Sequence, residues 1–108
     1  MGRGLGPLQK RILIFMYKNP NNLNVRVSHS HNSTYRISRA ILVRVDGKWD
    51  NYFNLRRLVQ NVHHSLEALV ERGLVVRIRK QYGRREWIWE LTSNGWYTGK
   101  ELIDLFEV

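Results

Sequence analysis

The residues best suited to chemistry stand close together near the middle of the chain: Gln60, Asn61, His63 and His64, with Arg56 and Arg57 one helical turn earlier. Gln and Asn present a donor and an acceptor side by side, as bidentate bonding to adenine N6 and N7 requires, and a neutral imidazole offers one donor and one acceptor. Guanidinium groups suit phosphate oxygens. A second group is purely basic, with Arg77, Arg79 and Lys80 leading to Gly83-Arg84-Arg85. A third is the pair Arg36 and Arg39, spaced i, i+3. Other chemistries lack their residues. The chain has no Cys, which removes thiol nucleophiles, thiolate metal sites and disulfides. His29, His31, His63 and His64 have no carboxylate cluster beside them, so no metal site is expected. No Ser-His-Asp set, carboxylate pair or Gly-rich phosphate loop has the required context, since the run from Gly2 to Gly6 follows no strand. Neither enzyme activity, nor a cofactor, nor a small-molecule ligand is expected.

The 108 residues carry 18 Lys and Arg against 9 Asp and Glu, a formal net charge of +9. The excess is uneven: nine basic to two acidic residues through residue 50, eight to two over 51–85, and one to five from Glu86 onward. A body this basic gains counterion-release free energy from a polyanion, and DNA, RNA or an anionic membrane surface would each supply it. The longest apolar run, Ile12 to Tyr17, is far short of the roughly 18 residues that cross a bilayer. No signal-peptide pattern is present. One domain over residues 1–108 is expected, with residues 1–7 flexible, in the cytoplasm and associated with the nucleoid.

These residues need elements to hold them. Leu8, Ile12, Phe15 and Met16 recur at helical spacing and Asn19-Pro20 stops them, predicting a helix over 8–18. In the polar stretch that follows, Leu23, Val25 and Val27 could form one short strand. Ser33 or Thr34 can cap a helix over 34–44, preferred to a strand at Ile41-Leu42-Val43 that would enter a turn at Asp46-Gly47. Over Leu55 to Arg72, the apolar residues Leu55, Leu58, Val59, Val62, Leu66, Leu69 and Val70 form one stripe, and Gly73 ends it. The period then changes to two. Val75 to Arg79 and Trp87 to Leu91 read as a hairpin with a basic tip, and Trp87 and Trp89 share the face that should close a core. Thr92 and Thr98 compete to cap a short last helix, Thr98 with capping-box spacing to Glu101.

In this order of elements, the segment from Val62 to Lys80 resembles the end of a recognition helix entering the wing of archaeal and bacterial winged helix-turn-helix regulators. The matching residues are Leu66, Leu69, Glu71-Arg72 and Gly73-Leu74-Val75. Downstream, Leu91-Thr92-Ser93-Asn94-Gly95 resembles the Leu-Thr-x-x-Gly that closes the wing and opens the last helix in many of them. The resemblance covers Leu55 to Phe106 well and the first helix plausibly, and residues 20–54 depart from it. A helix-turn-helix joins its two helices by three or four residues, whereas about nine separate them here.

The resemblance implies an α+β, mainly α fold, a winged helix-turn-helix with a three-helix core, a two-stranded β wing and a C-terminal helix. It implies sequence-specific binding of double-stranded DNA by a transcriptional regulator, with helix 55–72 in the major groove and the wing tip, 81–86, on the backbone or in the minor groove. Gln60, Asn61, His63 and His64 would face base edges. Arg36, Arg39, Arg56, Arg57, Arg77, Arg79 and Lys80 would contact the backbone, with Arg84 and Arg85 at the wing tip. A homodimer through the terminal helices would use Leu8, Ile12, Phe15, Trp96, Leu102, Ile103 and Phe106. The alternative is an RNA-binding or ribosome-associated winged-helix protein, which the same basic surface would serve.

Overall fold

Pro7 supplies the fixed φ that a first helical turn tolerates, and Gln9 Oε1 accepts the free N–H of Gly6 at 3.2 Å, so the first helix begins there. A computed structural model describes residues 4–21, 32–46, 52–79 and 87–106. Helix α1 is Pro7–Lys18, α2 Thr34–Asp46, α3 Tyr52–Glu71, β1 Val75–Arg79, β2 Trp87–Leu91 and α4 Ser93–Phe106. The architecture is α+β and mainly helical, with one antiparallel two-stranded sheet in the register Val75↔Leu91, Arg77↔Trp89 and Arg79↔Trp87. Leu23, Val25 and Val27 lie outside the described residues, as do Lys80, Arg84 and Arg85.

Ser33 settles the question over residues 34–46 in favour of helix: its Oγ accepts Arg36 N–H at 3.2 Å and its carbonyl accepts Ile37 N–H at 3.0 Å. Helix α3 starts three residues earlier than its apolar stripe predicts. The gap between α2 and α3 is accordingly residues 47–51, not nine residues. Ile12, Met16, Ile37, Val62, Leu66 and Leu69 are all within 1% of full burial, which places the core where α1, α2 and α3 meet. Trp89 closes it from the hairpin at 0% exposure. Trp87 stands at the edge of the core, half-buried, with the Arg77 guanidinium carbon 5.0 Å from its ring centroid. The two tryptophans therefore share a strand face but not a degree of burial.

The junction after α3 explains the two sequence patterns quoted above. Gly73 has φ +77°, Leu74 N–H donates to Leu69 O and Gly73 N–H to Val70 O, both at 3.0 Å, which is a Schellman ending. Thr92 then reaches back to it. Its N–H donates to Leu74 O at 3.0 Å and its hydroxyl donates to Gly73 O at 2.6 Å, while the same oxygen accepts Gly95 N–H at 3.0 Å. Thr92 is thus the N-cap of α4, and Thr98 lies inside that helix. A Cβ on Gly95 would overlap the Leu74 carbonyl oxygen and sit 3.1 Å from Leu91 Cδ2.

This geometry separates two glycines. Gly73 has open space around it, so Gly73→Ala costs only the left-handed conformation, about 1–2 kcal/mol. Gly95→Ala must push backbone from backbone and should cost about 3 kcal/mol or more. Urea titration of both variants checks this, and equal losses would contradict the close approach at Leu74.

Candidate nucleic-acid interface

Helix α3 buries Val62, Leu66 and Leu69 against α1 and α2, and that fixes what its other side presents. At about 100° per residue, Arg57, Gln60 and His64 lie at the centre of the outer face, with Arg56 and Asn61 on its two flanks. All five are exposed. Farther along the same face stand Glu67 and Glu71, also exposed. The outer face is therefore polarised, with guanidiniums toward the N-terminal half and carboxylates toward the C-terminal half.

His63 leaves the set expected to face outward together. It is half-buried, and its ring meets Trp89 edge-on with centroids 5.8 Å apart. Its Nε2 is 3.4 Å from Glu67 Oε1, and His64 Nδ1 lies 3.9 Å from the same oxygen. Trp89 is itself pinned. Its Nε1–H donates to Thr34 Oγ1 at 2.9 Å, its N–H to Asn32 O at 2.9 Å, and its carbonyl accepts Asn21 Nδ2–H at 2.8 Å. Asn32 is 1% exposed and also donates through Nδ2 to Asn19 O at 2.7 Å. These asparagines lace the end of α1, the start of α2 and strand β2 together, and Ser33 forms a single β-bridge to Ile88 beside them. Their composition reads as loop in the sequence. The only available signal was a helix stop at Asn19-Pro20 followed at once by further Asn residues.

The two arginines of α2 part company. Arg39 is exposed, its guanidinium carbon 5.6 Å from the Tyr35 ring centroid. Arg36 turns inward: its Cζ is 6.0 Å from the Phe15 centroid, and its Nη1 is buried with no hydrogen-bond partner. Burial holds its pKa below the ordinary guanidinium value. Arg36 therefore does not present itself for a backbone contact as its spacing with Arg39 predicts, because α2 packs that edge on α1. On the hairpin, Arg77 is exposed and stacked on Trp87, and of Arg79 only the backbone is described.

The residues expected at an interface between terminal helices are partly consumed within the chain. Ile12 and Leu102 are buried in its own core, and Leu8, Phe15 and Ile103 are half-buried. Helices α1 and α4 pack on each other, with the Tyr17 and Trp96 rings edge-on at 5.2 Å and Gly99 against the Tyr17 side chain. Trp96 stays partly exposed, together with Tyr97 and Leu105, and the Phe106 side chain lies outside the described residues. Among the described residues no group of His, Asp and Glu is placed to hold a metal, and no helix is long and apolar enough to cross a membrane.

Because Arg36 Nη1 is a buried donor without an acceptor, Arg36→Met should leave stability unchanged or raise it, the stem packing on Phe15 being kept. Thermal unfolding of this variant and of Arg39→Met makes the comparison. A loss above about 1 kcal/mol confined to Arg36→Met would show that the buried guanidinium is satisfied. No family model, curated protein or solved structure matches the chain.

Proposed function

We propose that this chain binds double-stranded DNA sequence-specifically, as a transcriptional regulator of winged helix-turn-helix type. The observation that carries the reading is the outer face of α3, where Arg56, Arg57, Gln60, Asn61 and His64 are exposed together on a rigid, core-anchored helix. α2 packs against α3 and precedes it by five residues, close to the three or four of a helix-turn-helix, and an antiparallel hairpin follows α3 where a wing would stand. In this reading the N-terminal half of α3 enters the major groove. Arg56 and Arg57 contact phosphates and fix the register, while Gln60, Asn61 and His64 bond base edges. Arg77 and the basic residues Lys80, Arg84 and Arg85 follow the backbone or the minor groove. The net charge of +9 supplies the non-specific part of the affinity.

A homodimer belongs to the same reading. With Ile12 and Leu102 inside the chain's own core, the surface left for it on α4 is Trp96, Tyr97 and Leu105. A dimer would place two α3 helices on successive turns of the duplex and so select a palindrome.

Two variants divide the labour on α3. Arg57→Ala should weaken binding to all duplexes alike and make the salt dependence shallower by about one phosphate contact. Gln60→Ala should spare binding to random DNA and reduce discrimination by about 1–3 kcal/mol at one base pair. Gel shifts across a salt series, with a sequence selected from a random duplex pool, measure both. Equal losses on selected and random duplex for both variants, or tighter binding to A-form RNA than to any duplex DNA, would overturn the reading.

A further inference from the structure

His63, which packs on Trp89, and the exposed His64 share a further contact. Both imidazoles converge on one carboxylate oxygen, Glu67 Oε1, at 3.4 and 3.9 Å. The rings stand 6.2 Å apart at an interplanar angle of 64°. Glu67 lies on the outer face of α3, 11 residues or about 16 Å along the axis from Arg56. With both imidazoles neutral, that face carries two guanidiniums, from Arg56 and Arg57, and two carboxylates, from Glu67 and Glu71. Its C-terminal half therefore repels a phosphate backbone. With both imidazoles protonated, the same half carries two cations against two carboxylates.

Among the described residues, other charged groups about this half of α3 are Arg72, exposed just past its end, and Glu90, half-buried next to Trp89 on β2. From β2, His63 meets the uncharged Trp89 ring, and the charged group next to it on β1 is Arg77, held over Trp87. Among the α2 side chains that are described, the cations are Arg36, over Phe15, and Arg39, over Tyr35. α1, with Lys10, Arg11 and Lys18, meets α3 on its buried side.

We propose that His63, His64 and Glu67 form a proton-operated control on this face, so that acidification tightens its hold on a polyanion. The proposal rests on the nucleic-acid reading above and adds its regulation. Imidazole is the ordinary side chain whose charge can change between pH 5 and 8, which makes it the group on this face that acid can act through. Protonation lets one imidazolium pair with Glu67 and leaves the other as an added cation facing the phosphates.

The experiment compares duplex binding at pH 7.5 and pH 5.5 in about 0.1 M salt, where one added phosphate contact is worth about tenfold in affinity. The full chain should bind about tenfold more tightly at pH 5.5, with a salt slope steeper by about one. H63Q/H64Q should bring the ratio near one, although His29 and His31 remain. H64Q alone, at an exposed position that costs little stability, should lower the ratio part of the way. E67Q should bind more tightly than the parent at pH 7.5. Retention on heparin at the same two pH values is the second readout, because it needs no groove. Equal duplex affinity at both pH values overturns the proposal, as does a tenfold ratio that survives in H63Q/H64Q. Heparin retention that rises with acid in the parent but not in the double variant, without duplex binding at either pH, supports the control and removes the DNA reading. Unchanged heparin retention with no duplex binding removes both.

Discussion

The carbonyl of Leu74 accepts the backbone of Thr92 in a gap that only a glycine at position 95 leaves open, and much of the molecule's geometry hangs from that contact. On one side, Leu74 N–H closes the Schellman ending of α3, so the carbonyl is held at a fixed distance from the last turn of that helix. On the other, Thr92 caps α4 and places its first turn against the same backbone. The hairpin leaves and returns through this point, since Val75 pairs with Leu91 immediately beside it. Three elements therefore share one hydrogen-bonded junction, and a shift in any of them would strain the other two. This gives Gly73, Leu74, Thr92 and Gly95 a joint physical meaning, although each is common in isolation.

Trp89 does the corresponding work at the middle of β2. Its ring is buried among α1, α2 and α3, and its indole N–H ties it to Thr34 at the start of α2. Its backbone is engaged on the free edge of β2 by Asn21 and Asn32, which stand in for a third strand there. A buried aromatic of this size contributes more than its hydrophobic area when its polar atom is also satisfied. This side chain therefore touches both helices, through Thr34 of α2 and His63 of α3.

What could be read in the sequence follows from how local its causes are. The apolar stripe of α3, the period-two hairpin and the stop at Gly73 depend on residues near one another in the chain, and the structure has them close to where the spacing predicts. The start of α4 is a different case. Thr92 and Thr98 are both plausible caps locally, and the choice between them is made by Leu74, about eighteen positions upstream. Asn32 is hidden for the same reason. An asparagine in an Asn-rich stretch is expected in solvent, and partners distant in sequence offset its burial: Asn19 O, Asn21 Oδ1 and Trp89 N–H, with only its own Oδ1 left unpaired. Arg36 and Arg39, three residues apart, lie only about 60° from each other around the helix axis, too little for periodicity to tell which of them turns onto Phe15. Of the four base-reading candidates, Gln60, Asn61 and His64 are exposed as the pattern implies. His63 is drawn aside by a ring on another element.

The residues that hold α3 and the residues that face outward from it are almost disjoint sets. Val62, Leu66 and Leu69 are buried while Arg56, Arg57, Gln60, Asn61 and His64 are exposed, so anchoring and presentation fall to different side chains. The packing of α3 leaves a regular mark in the sequence because its buried positions must be apolar, whereas its outer positions are not so constrained. His63 is the exception. It packs on Trp89 and lies against Glu67, a charge on the exposed face. This one side chain therefore belongs both to the packing behind α3 and to the face in front of it.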